Sequence, residues 1–187
     1  MRLGIFGGSF NPIHIGHLVI AEFTREYMNL DKVIFIPVGQ PSHREANLVS
    51  SCDRYNMIKL SIENNRNFEV LDIEIKDNKI NYTYDTLLQL KEIYKDSEII
   101  EIIGEDSADY LHKWKNYNEL LEMCKFLVFK REGYSYISNN PNIIVMDNPK
   151  ISISATFIRD KIKNNGSIKY LVTEKVEEYI IKNNLYK

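Results

Sequence analysis

Two histidines at helical spacing follow a pair of glycines near the start of the chain. The segment from Gly7 to His17 reads GGSFNPIHIGH, and it comes directly after the short apolar run Leu3–Phe6. Adjacent glycines let backbone N–H groups approach an anion closely, and a helix start adds unpaired N–H groups and a positive dipole end. His14 and His17 lie three residues apart, so both can face one side of such a helix. The segment predicts a phosphate site at the junction of a strand and a helix.

Each part of this segment, taken alone, has a purely structural interpretation. A glycine turn is more often a tight connection, and a lone histidine is more often a packed or surface residue. The combination favours a nucleotide site, although neither a GxxxxGK[ST] nor a spaced GxGxxG motif occurs. Glycine at position 16 keeps the helix surface low, which would leave room for a nucleotide. We expect the nucleotide to contact Gly7, Gly8, Ser9, Phe10 and Gly16.

Short apolar runs alternate with longer segments of helical periodicity along the chain. The runs are β-branched or aromatic and are bounded by Gly, Pro, Asn or charge, as buried parallel strands require. They are Leu3–Phe6, Val33–Ile36, Ile99–Ile103, Phe126–Phe129 and Ile143–Met146. This alternation predicts right-handed βαβ units and a doubly wound α/β fold with a mostly parallel sheet. Ligands should then bind at the carboxyl ends of the strands, where the strand order reverses.

Helix boundaries are predicted from capping residues and apolar faces. Ser50 or Ser51 should cap a helix that runs to about Asn65, and Asn118 should cap another that runs through Cys124. Two helix faces are expected to be buried, one formed by Ile15, Leu18, Val19, Phe23 and Tyr27, the other by Leu87, Leu90 and Tyr94. The segment Phe68–Tyr82 interleaves acidic and apolar residues, and we interpret it as an exposed hairpin or an edge segment.

The C-terminal part, residues 151–187, is predicted to be helical. One helix should follow Ser154, a break should fall at Asn164–Gly166, and a final helix should start at Thr173. The chain has 187 residues and no internal repeat, low-complexity tract or linker. That length is too short for two ordinary domains. We expect residues 1–187 to form one domain that includes 151–187 as a helical C-terminal subdomain.

Composition and charge exclude several classes of protein. Hydrophobic residues make up 44% of the chain and charged residues 27%, and the net charge is −2. No global positive field would attract nucleic acid, so an anionic substrate must be held by local donors. Cys52 and Cys124 are expected to be reduced thiols rather than a disulfide or a metal pair. No stretch approaches a secretory or membrane-spanning segment, so we expect a cytoplasmic protein without a membrane partner.

Two segments carry a family resemblance. GGSFNPIHIGH resembles the HxGH signature of the nucleotidyltransferase superfamily related to class I aminoacyl-tRNA synthetases, and ISISATFIR ends in a segment similar to its ISSTxIR signature. The resemblance implies that ATP is bound here, with its phosphates near Ser154 and Thr156. The positively charged guanidinium of Arg159, one helical turn later, is expected to bind the same phosphates. Alone, this second segment would more often be an ordinary N-capped helix. Ala155 stands where Ser is usual, so one hydroxyl contact is lost or is made by the backbone.

Two further segments are similar to the acceptor loops of nicotinate mononucleotide adenylyltransferases. IPVGQPSHR, ending at Arg44, resembles the IPxGxPPHK loop, which implies that His43 and Arg44 lie near phosphates rather than on a solvated loop tip. Arg44 replaces Lys and keeps the charge, although the two side chains are not interchangeable. NYTYDT resembles SYTxDT, with Asn81 for Ser, which implies that the nicotinate carboxylate binds near Thr83. Thr83 or Asp85 could also cap the helix that begins there.

Two more segments extend the resemblance across nearly the whole chain. IGED matches the family's IGxD, which implies that Gly104 and Asp106 contact ATP, with Asp106 accepting from ribose hydroxyls. Glu105 replaces the usual Ala and adds a charge with no predicted role. The segment from Tyr110 to Trp114, YLHKW, carries the only tryptophan, which the family uses to stack on nicotinate. We therefore expect Tyr110 and Trp114 to bind nicotinate mononucleotide, although a single Trp is more often a core residue.

The resemblance implies a single nucleotidyltransferase domain that transfers AMP from ATP to nicotinate mononucleotide, giving nicotinate adenine dinucleotide and pyrophosphate in NAD biosynthesis. His14, His17 and Arg159 are the expected catalytic residues. Mg²⁺ is expected to be held by the nucleotide and not by a metal site of the protein. Phosphopantetheine or nicotinamide mononucleotide as acceptor, and a non-catalytic nucleotide-binding regulator, are the alternatives. The length of the chain and the lack of a KMSKS-like segment exclude a tRNA synthetase. The oligomeric state is open, with a homodimer among the options.

Overall fold

The computed structural model describes residues 1–39, 48–76 and 80–187. The predicted binding residues His43 and Arg44 lie outside these ranges. The strands are β1 Arg2–Gly8, β2 Lys32–Pro37, β3 Phe68–Val70, β4 Glu98–Gly104, β5 Lys125–Phe129 and β6 Ile143–Met146. The α-helices are α1 Ile15–Tyr27, α2 Ser51–Ile62, α3 Thr83–Ile93, α4 Glu105–Ala108, α5 Tyr117–Met123, α6 Ala155–Lys163 and α7 Glu174–Lys182, and a 3₁₀ turn spans Leu111–Lys113.

The strands form one parallel sheet in the order β3-β2-β1-β4-β5-β6. The chain winds outward from β1 in one direction as far as β3, and β4 then returns to the other side of β1. The strand order therefore reverses between β1 and β4, and the carboxyl ends of these two strands flank the crevice in which ligands of such sheets bind. The predicted doubly wound α/β fold is confirmed, and all five predicted strands are present.

Helices cover both faces of the sheet over two separate apolar cores. One core packs α1, α2, α6 and α7 against the sheet, with Ile20, Met57, Ile158 and Val176 fully or almost fully buried. The other packs α3, α4 and α5 against the opposite face. Burial of both faces explains why the strands read as continuous apolar runs, since parallel strands covered on both sides have no solvent-facing side chains.

Several predicted helix boundaries are confirmed. Ser50 caps α2 and Ser154 caps α6, and each side-chain oxygen accepts a hydrogen bond from the third residue along. The C-terminal helices α6 and α7 lie where the sequence predicted them. Leu87 and Leu90 of α3 are fully buried. Both cysteines are free, Cys52 exposed and Cys124 buried. No helix in the described part of the chain is long and apolar enough to cross a membrane.

Two predictions about local structure were wrong, wholly or in part, and a third was confirmed in one of its two alternatives. The fully buried residues of α1 are Gly16, Ile20, Ala21 and Thr24. Of the predicted face, Leu18 and Phe23 are half-buried against the core and Tyr27 is exposed. Asn118 lies inside α5, which begins after Asn116 in a left-handed conformation. The hairpin expected within 68–82 is not formed by Phe68–Val70, which pairs in parallel with β2 as the edge strand. The alternative of an edge segment is thus confirmed.

Candidate active site

The loop between β1 and α1 lies at the carboxyl edge of the sheet, beside the reversal of strand order. Gly7 and Ser9 are exposed there and Gly8 is half-buried. The carbonyl oxygen of Gly8 accepts a hydrogen bond from the backbone N–H of Val38 at 2.9 Å, which ties the loop to the end of β2. The loop therefore presents Gly7 and Ser9 to solvent at this edge of the sheet.

Phe10 belongs to the core and not to the exposed surface of the loop. Its side chain is 2% exposed and packs against Phe6 and Phe35 at 5.7 Å between ring centroids, and against His17 at 5.0 Å. Its φ of 44° lies in the left-handed region, which turns the ring inward beneath the loop. Any contact between Phe10 and a nucleotide must therefore be made by its backbone.

His14 and His17 form a stacked pair at the start of α1. Their ring centroids lie 3.7 Å apart with an interplanar angle of 26°. The backbone N–H of His14, the N-cap residue, donates to Nδ1 of His17 at 3.2 Å. Because Nδ1 of His17 accepts this bond, the proton of the neutral ring sits on Nε2 and is free to be donated. Nδ1 of His14 is buried and has no partner among the described residues.

Burial and a nearby cation keep both rings neutral. Burial, followed by the positive charge of Arg131, lowers the pKa of His14 from 6.5 to about 4. The pKa of His17 is lowered well below 6.5, chiefly by burial, then by His14 and by Arg131. At pH 7 the pair therefore offers neutral N–H donors rather than two positive charges.

Gly16 makes room for a ring of the protein itself. A Cβ atom at this position would lie 3.0 Å from Nδ1 of His14 and 3.5 Å from Cγ2 of Ile151. The space that the sequence suggested for a nucleotide is taken by the His14 imidazole. Gly16 thus permits the stacked arrangement of the two histidines, which explains the glycine within the HxGH pattern in this chain.

The end of β4 brings an acidic and a basic residue to the same edge. Oδ2 of Asp106 accepts a hydrogen bond from Nη1 of Arg131 at 2.6 Å. Gly104 lies beneath this pair, and a Cβ atom there would meet Oδ1 of Asp106 at 2.5 Å and Cδ of Arg131 at 2.9 Å. Only glycine allows both side chains to lie so close to the strand end.

Arg131 is a site residue that the sequence interpretation missed. It follows β5 by two residues, and its charge acts on both His14 and His17. The rule that ligands bind at the carboxyl ends of parallel strands could have identified it, since β5 neighbours β4. The adjacent residue Glu105 also has a role that the sequence did not reveal. Its two oxygens accept from the backbone N–H groups of Arg131 and Tyr136.

Arg159 joins the C-terminal helices to the first loop. Its Nη1 donates to the carbonyl oxygen of Asn11 at 2.8 Å, and its Nη2 donates to Oγ1 of Thr156 at 3.0 Å. Ser154 and Thr156 are exposed at the start of α6. The two predicted signature segments therefore meet in space, although they lie at opposite ends of the sequence.

A buried arginine lies under the same loop. Arg54 of α2 is 1% exposed, and its guanidinium donates to the carbonyl oxygens of Ser9 at 2.9 Å, Val49 at 3.3 Å and Gly39 at 3.4 Å. It forms no ion pair with a carboxylate within the described ranges. The arginine holds together three segments: the loop after β1, Gly39 just beyond the end of β2, and Val49 just before α2. No spacing in the sequence singled it out.

The predicted carboxylate-binding residue Thr83 is the first residue of α3 and is half-buried. No side chain caps this helix at Tyr82. Asp85 instead accepts from Nζ of Lys115 at 2.8 Å, so its interpretation as a cap is wrong. Asn81 donates through its side-chain amide to the carbonyl oxygen of Glu74 at 2.7 Å, which accounts for one departure from the family pattern.

Trp114 lies between the core and the surface. It is half-buried and meets Phe126 edge to face, with ring centroids 6.2 Å apart. Tyr110 is exposed, and Nζ of Lys113 lies 5.2 Å from the centre of its ring. Lys115 follows Trp114 and bonds Asp85, so the tryptophan segment and the start of α3 lie side by side. Two of the three predicted acceptor segments, those of Thr83 and Trp114, are thus brought together.

No group of three or more His, Cys, Asp or Glu side chains placed to hold a metal ion occurs in residues 1–39, 48–76 and 80–187. Cations of the protein itself, Arg131 and Arg159, lie around the crevice instead.

Comparisons with known proteins agree with this geometry. A family model described as cytidylyltransferase-like matches residues 5–161. A Fusobacterium nucleatum protein named probable nicotinate-nucleotide adenylyltransferase is 50% identical over 97% of this chain and 98% of its own length. A Clostridium novyi protein of the same name is 45% identical over 100% of this chain and 99% of its own length. The structure of Plasmodium falciparum nicotinic acid mononucleotide adenylyltransferase complexed with NaAD has a TM-score of 0.83 at 21% identity, covering 99% of this chain and 97% of that one. That last likeness concerns the fold.

A parallel sheet of this strand order, with a glycine loop and a histidine pair at the reversal point, defines a nucleotidyltransferase. The chain matches the family model over most of its length and its relatives over essentially all of it. It belongs to the cytidylyltransferase-like family and, within that family, to the nicotinate-nucleotide adenylyltransferases.

Proposed function

We propose that this chain transfers AMP from ATP to nicotinate mononucleotide, giving nicotinate adenine dinucleotide and pyrophosphate. The observation that carries the proposal is the stacked pair of His14 and His17 at the reversal of strand order, with Arg159 bonded to the loop before it and Arg131 bonded to Asp106 after the neighbouring strand β4. The names of relatives that match over nearly their whole length select the acceptor. The reaction belongs to NAD biosynthesis.

The reaction is an in-line attack by the phosphate of nicotinate mononucleotide on the α-phosphorus of ATP. A phosphate oxygen is a nucleophile at neutral pH, so the protein need not supply a general base or form a covalent intermediate. Rate enhancement comes from positioning and from donors aimed at charge that develops on the phosphates. His14 and His17 are the catalytic donors. As neutral rings held by stacking, they bind phosphate oxygens without the reorganisation that water would require.

ATP lies along the loop after β1 and against α6. Backbone groups of Gly7, Gly8, Ser9 and Phe10 face its phosphates, while Gly16 supports the histidine pair. Ser154 and Thr156 contact triphosphate oxygens at the start of α6, and Arg159 binds the leaving pyrophosphate. Gly104 and Asp106 receive the ribose of ATP. Mg²⁺ would be bound with the triphosphate, where it would neutralise part of the phosphate charge.

Nicotinate mononucleotide binds between the start of α3 and the tryptophan segment. Its carboxylate accepts N–H bonds near Thr83, where the positive end of the helix dipole favours an anion. Its ring stacks on Trp114 beside Tyr110. His43 and Arg44, outside the described residues, are assigned to its phosphate on the sequence resemblance.

We infer that residues 1–187 act as one nucleotidyltransferase domain. The bond from Arg159 to Asn11 and the bond from the backbone N–H of Ile15 to the carbonyl oxygen of Leu171, at 2.9 Å, tie the helical part 151–187 to the first loop. A net charge of −2 favours small-molecule partners over nucleic acid. The free cysteines suit a reducing compartment, which supports a cytoplasmic location.

A single assay tests the proposal. The purified protein is incubated with ATP, Mg²⁺ and each of three acceptors, nicotinate mononucleotide, nicotinamide mononucleotide and phosphopantetheine, and pyrophosphate release is followed. We expect nicotinate mononucleotide to be the best acceptor, with its dinucleotide product identified by mass spectrometry. Release with phosphopantetheine alone, or no release with any acceptor, would contradict the proposal.

A further inference from the structure

Glu105 is a buried carboxylate whose two oxygens are both used by backbone donors. Its side chain is 2% exposed. One oxygen, Oε2, accepts from the backbone N–H of Arg131 at 2.7 Å, and Oε1 accepts from the backbone N–H of Tyr136 at 3.1 Å. Bonds from N–H groups to an ionised acceptor are shorter and stronger than neutral ones. Glu105 therefore fixes two points of the segment that follows β5.

That segment has little structure of its own. Residues 130–136 contain a turn and no strand or helix, and most of them are exposed. Two further bonds anchor it on either side of Arg131: the side-chain oxygen of Asn148 accepts from the backbone N–H of Lys130 at 2.6 Å, and the Glu132 carboxylate accepts from Oγ of Ser152 at 2.6 Å. Among the described residues, Glu105 is the one that binds the backbone N–H of Arg131 itself. Exposed backbone with few partners is mobile unless specific bonds hold it. The conformation of Arg131 thus depends on Glu105.

Two consecutive acidic residues hold Arg131 from both ends. Glu105 binds its backbone N–H, and Asp106 binds its guanidinium through Nη1 at 2.6 Å. The guanidinium also lies over the ring of Phe129 at 5.9 Å from the ring centre. The bond to Asp106 uses one N–H group of the guanidinium, which has five N–H donors. The Arg131 side chain is 43% exposed, so its remaining donors are accessible to a ligand.

The position of this guanidinium matters to the histidine pair. Its charge acts on both His14 and His17, so it lies within electrostatic range of the place where phosphates are assigned. A cation there stabilises negative charge on the nucleotide without being part of either signature segment. Because Gly104 lacks a side chain, the guanidinium can rest directly on the end of β4.

We propose that Arg131 binds ATP and that Glu105 is the positioning residue that sets Arg131 for this contact. The inference rests on the proposed function for the identity of the nucleotide. Arg131 meets the triphosphate with its free donors, and the bond to Asp106 leaves the other carboxylate oxygen for the ribose. Glu105 touches no substrate and acts through the backbone of Arg131.

A double-mutant cycle tests the proposal. Glu105→Ala, Arg131→Ala and the double variant are compared for the KM of ATP at saturating nicotinate mononucleotide, and for the affinity of a non-hydrolysable ATP analogue by calorimetry. We expect Glu105→Ala and Arg131→Ala each to raise the KM of ATP by about tenfold, with the KM of nicotinate mononucleotide nearly unchanged. The double variant should be no worse than Arg131→Ala, because Glu105 has nothing left to position.

Hydrogen exchange provides a readout that does not depend on turnover. In Glu105→Ala, peptides covering residues 130–137 should exchange faster, and peptides from α1 and α6 should not change. Asp147→Ala is the matched control, since it removes an acidic side chain that binds Lys130 at the surface. Glu105→Gln keeps the volume and one acceptor, so it should fall between the wild type and Glu105→Ala, and it replaces the latter in the cycle if the alanine variant does not fold.

The outcomes separate this proposal from the proposed function. Absence of adenylyl transfer by the wild type would overturn the function, while analogue binding and exchange would still decide on Glu105 and Arg131. Additive effects in the double variant, unchanged exchange in residues 130–137, or an unchanged affinity for the analogue in Arg131→Ala would overturn the positioning role.

Discussion

The imidazole rings of His14 and His17 lie 3.7 Å apart and nearly parallel, and the backbone of the first residue bonds the ring of the second. Each ring partly buries the other, and protonation of either would place a positive charge beside its neighbour and near Arg131. The arrangement holds two neutral donors at fixed separation at the start of α1. It also makes the stability of the folded protein sensitive to acid.

The folded protein should lose stability as pH falls from 7 to 5. His14 has a folded pKa of about 4 against 6.5 when exposed, so the unfolded chain takes up protons first and gains stability below pH 6.5. The contribution is complete above pH 6.5, and about 2 kcal/mol of it should be lost by pH 5. Urea unfolding at both pH values measures this. The loss should be smaller in His14→Gln, and parallel curves for the two proteins would refute the assignment.

Substitutions at His17 should separate its two nitrogens. His17→Asn retains an acceptor near the position of Nδ1 for the backbone N–H of His14, but it removes the Nε2 donor. We expect kcat to fall by about 10²-fold or more, with only a small change in melting temperature. His17→Gln places an amide nearer to Nε2 and should keep more activity. Steady-state kinetics on both variants would show the order, and equal activity of the two would remove Nε2 from the mechanism.

Arg159→Ala should affect the nucleotide and not the choice of acceptor. The guanidinium bonds Asn11 and Thr156, next to the loop assigned to the triphosphate. We expect the KM of ATP to rise or kcat to fall by roughly tenfold or more, with an unchanged ratio of kcat/KM between acceptors. Arg159→Lys should restore part of the loss, since it keeps the charge but not the fork. Selective loss of nicotinate mononucleotide binding would place Arg159 at the other substrate.

Much of the fold followed from the sequence because its signals are local. Runs such as Ile143–Met146 and caps such as Ser50 depend on neighbouring residues, and the topology follows from the alternation of strands and helices. The prediction that the site lies at the strand ends rests on the same alternation. The fully buried residues of α1 could not be predicted in this way, because their burial depends on how closely the helix packs on the sheet.

The parts of the site that were missed depend on contacts between distant segments. Glu105 had no predicted role because its partners, Arg131 and Tyr136, lie on another loop. Arg54 bonds three carbonyl oxygens from three segments, and no motif encodes such an arrangement. Phe10 stands within a glycine-rich loop that indicates exposure, yet its positive φ turns it into the core.

Arg54→Met should destabilise the protein by on the order of 3 kcal/mol, because it removes a buried guanidinium that donates to three carbonyl oxygens, including those of Ser9 and Gly39. The loss should be accompanied by weaker ATP binding, since Ser9 belongs to the first loop. Arg66→Met is the matched control at an exposed position and should cost less than about 0.5 kcal/mol. Denaturant unfolding of the wild type and the two variants measures the two losses of stability. A similar cost at the two positions would contradict the role of Arg54.

Glu101→Gln should stabilise the protein at neutral pH. Glu101 lies in the centre of the sheet at 5% exposure, and its Oε2 has no partner in the described part of the chain. Burial, and then Glu74, raise its pKa well above 4.5, so ionisation disfavours folding as pH rises. The gain should be about 1 kcal/mol or more at pH 7 and should shrink toward pH 4.5. Glu98→Gln, on the same strand, should show the opposite trend, because Lys125 and Arg2 lower the pKa of Glu98. Stability that does not vary with pH in the Glu101→Gln comparison would refute this.

The choice between acid and amide acceptors is the sharpest test of the acceptor site. Nicotinate mononucleotide carries a carboxylate where nicotinamide mononucleotide has a neutral amide, and the start of α3 at Thr83 offers N–H donors that no side chain caps. The NH₂ group of the amide would face donors that cannot accept from it. An unpaired buried polar group costs about 1–3 kcal/mol, and the loss of a charge-assisted bond adds to that. We therefore expect the acid to be preferred by at least roughly 10²-fold in kcat/KM.

Trp114 should contribute equally to the binding of both acceptors, because stacking depends on the ring and not on its substituent. Trp114→Ala removes a half-buried indole that also contacts Phe126, so Trp114→Phe is the control that retains an aromatic face. We expect Trp114→Ala to raise the KM of both acceptors by a similar factor, about tenfold, and to leave their ratio unchanged, while Trp114→Phe keeps most of the affinity. Competition between the two acceptors in one reaction, with products separated by chromatography, gives the ratio directly. Equal use of acid and amide by the wild type would reject the carboxylate assignment at Thr83 and leave adenylyl transfer intact. A change in the ratio of kcat/KM between the two acceptors in Trp114→Ala would show that the indole itself discriminates between them.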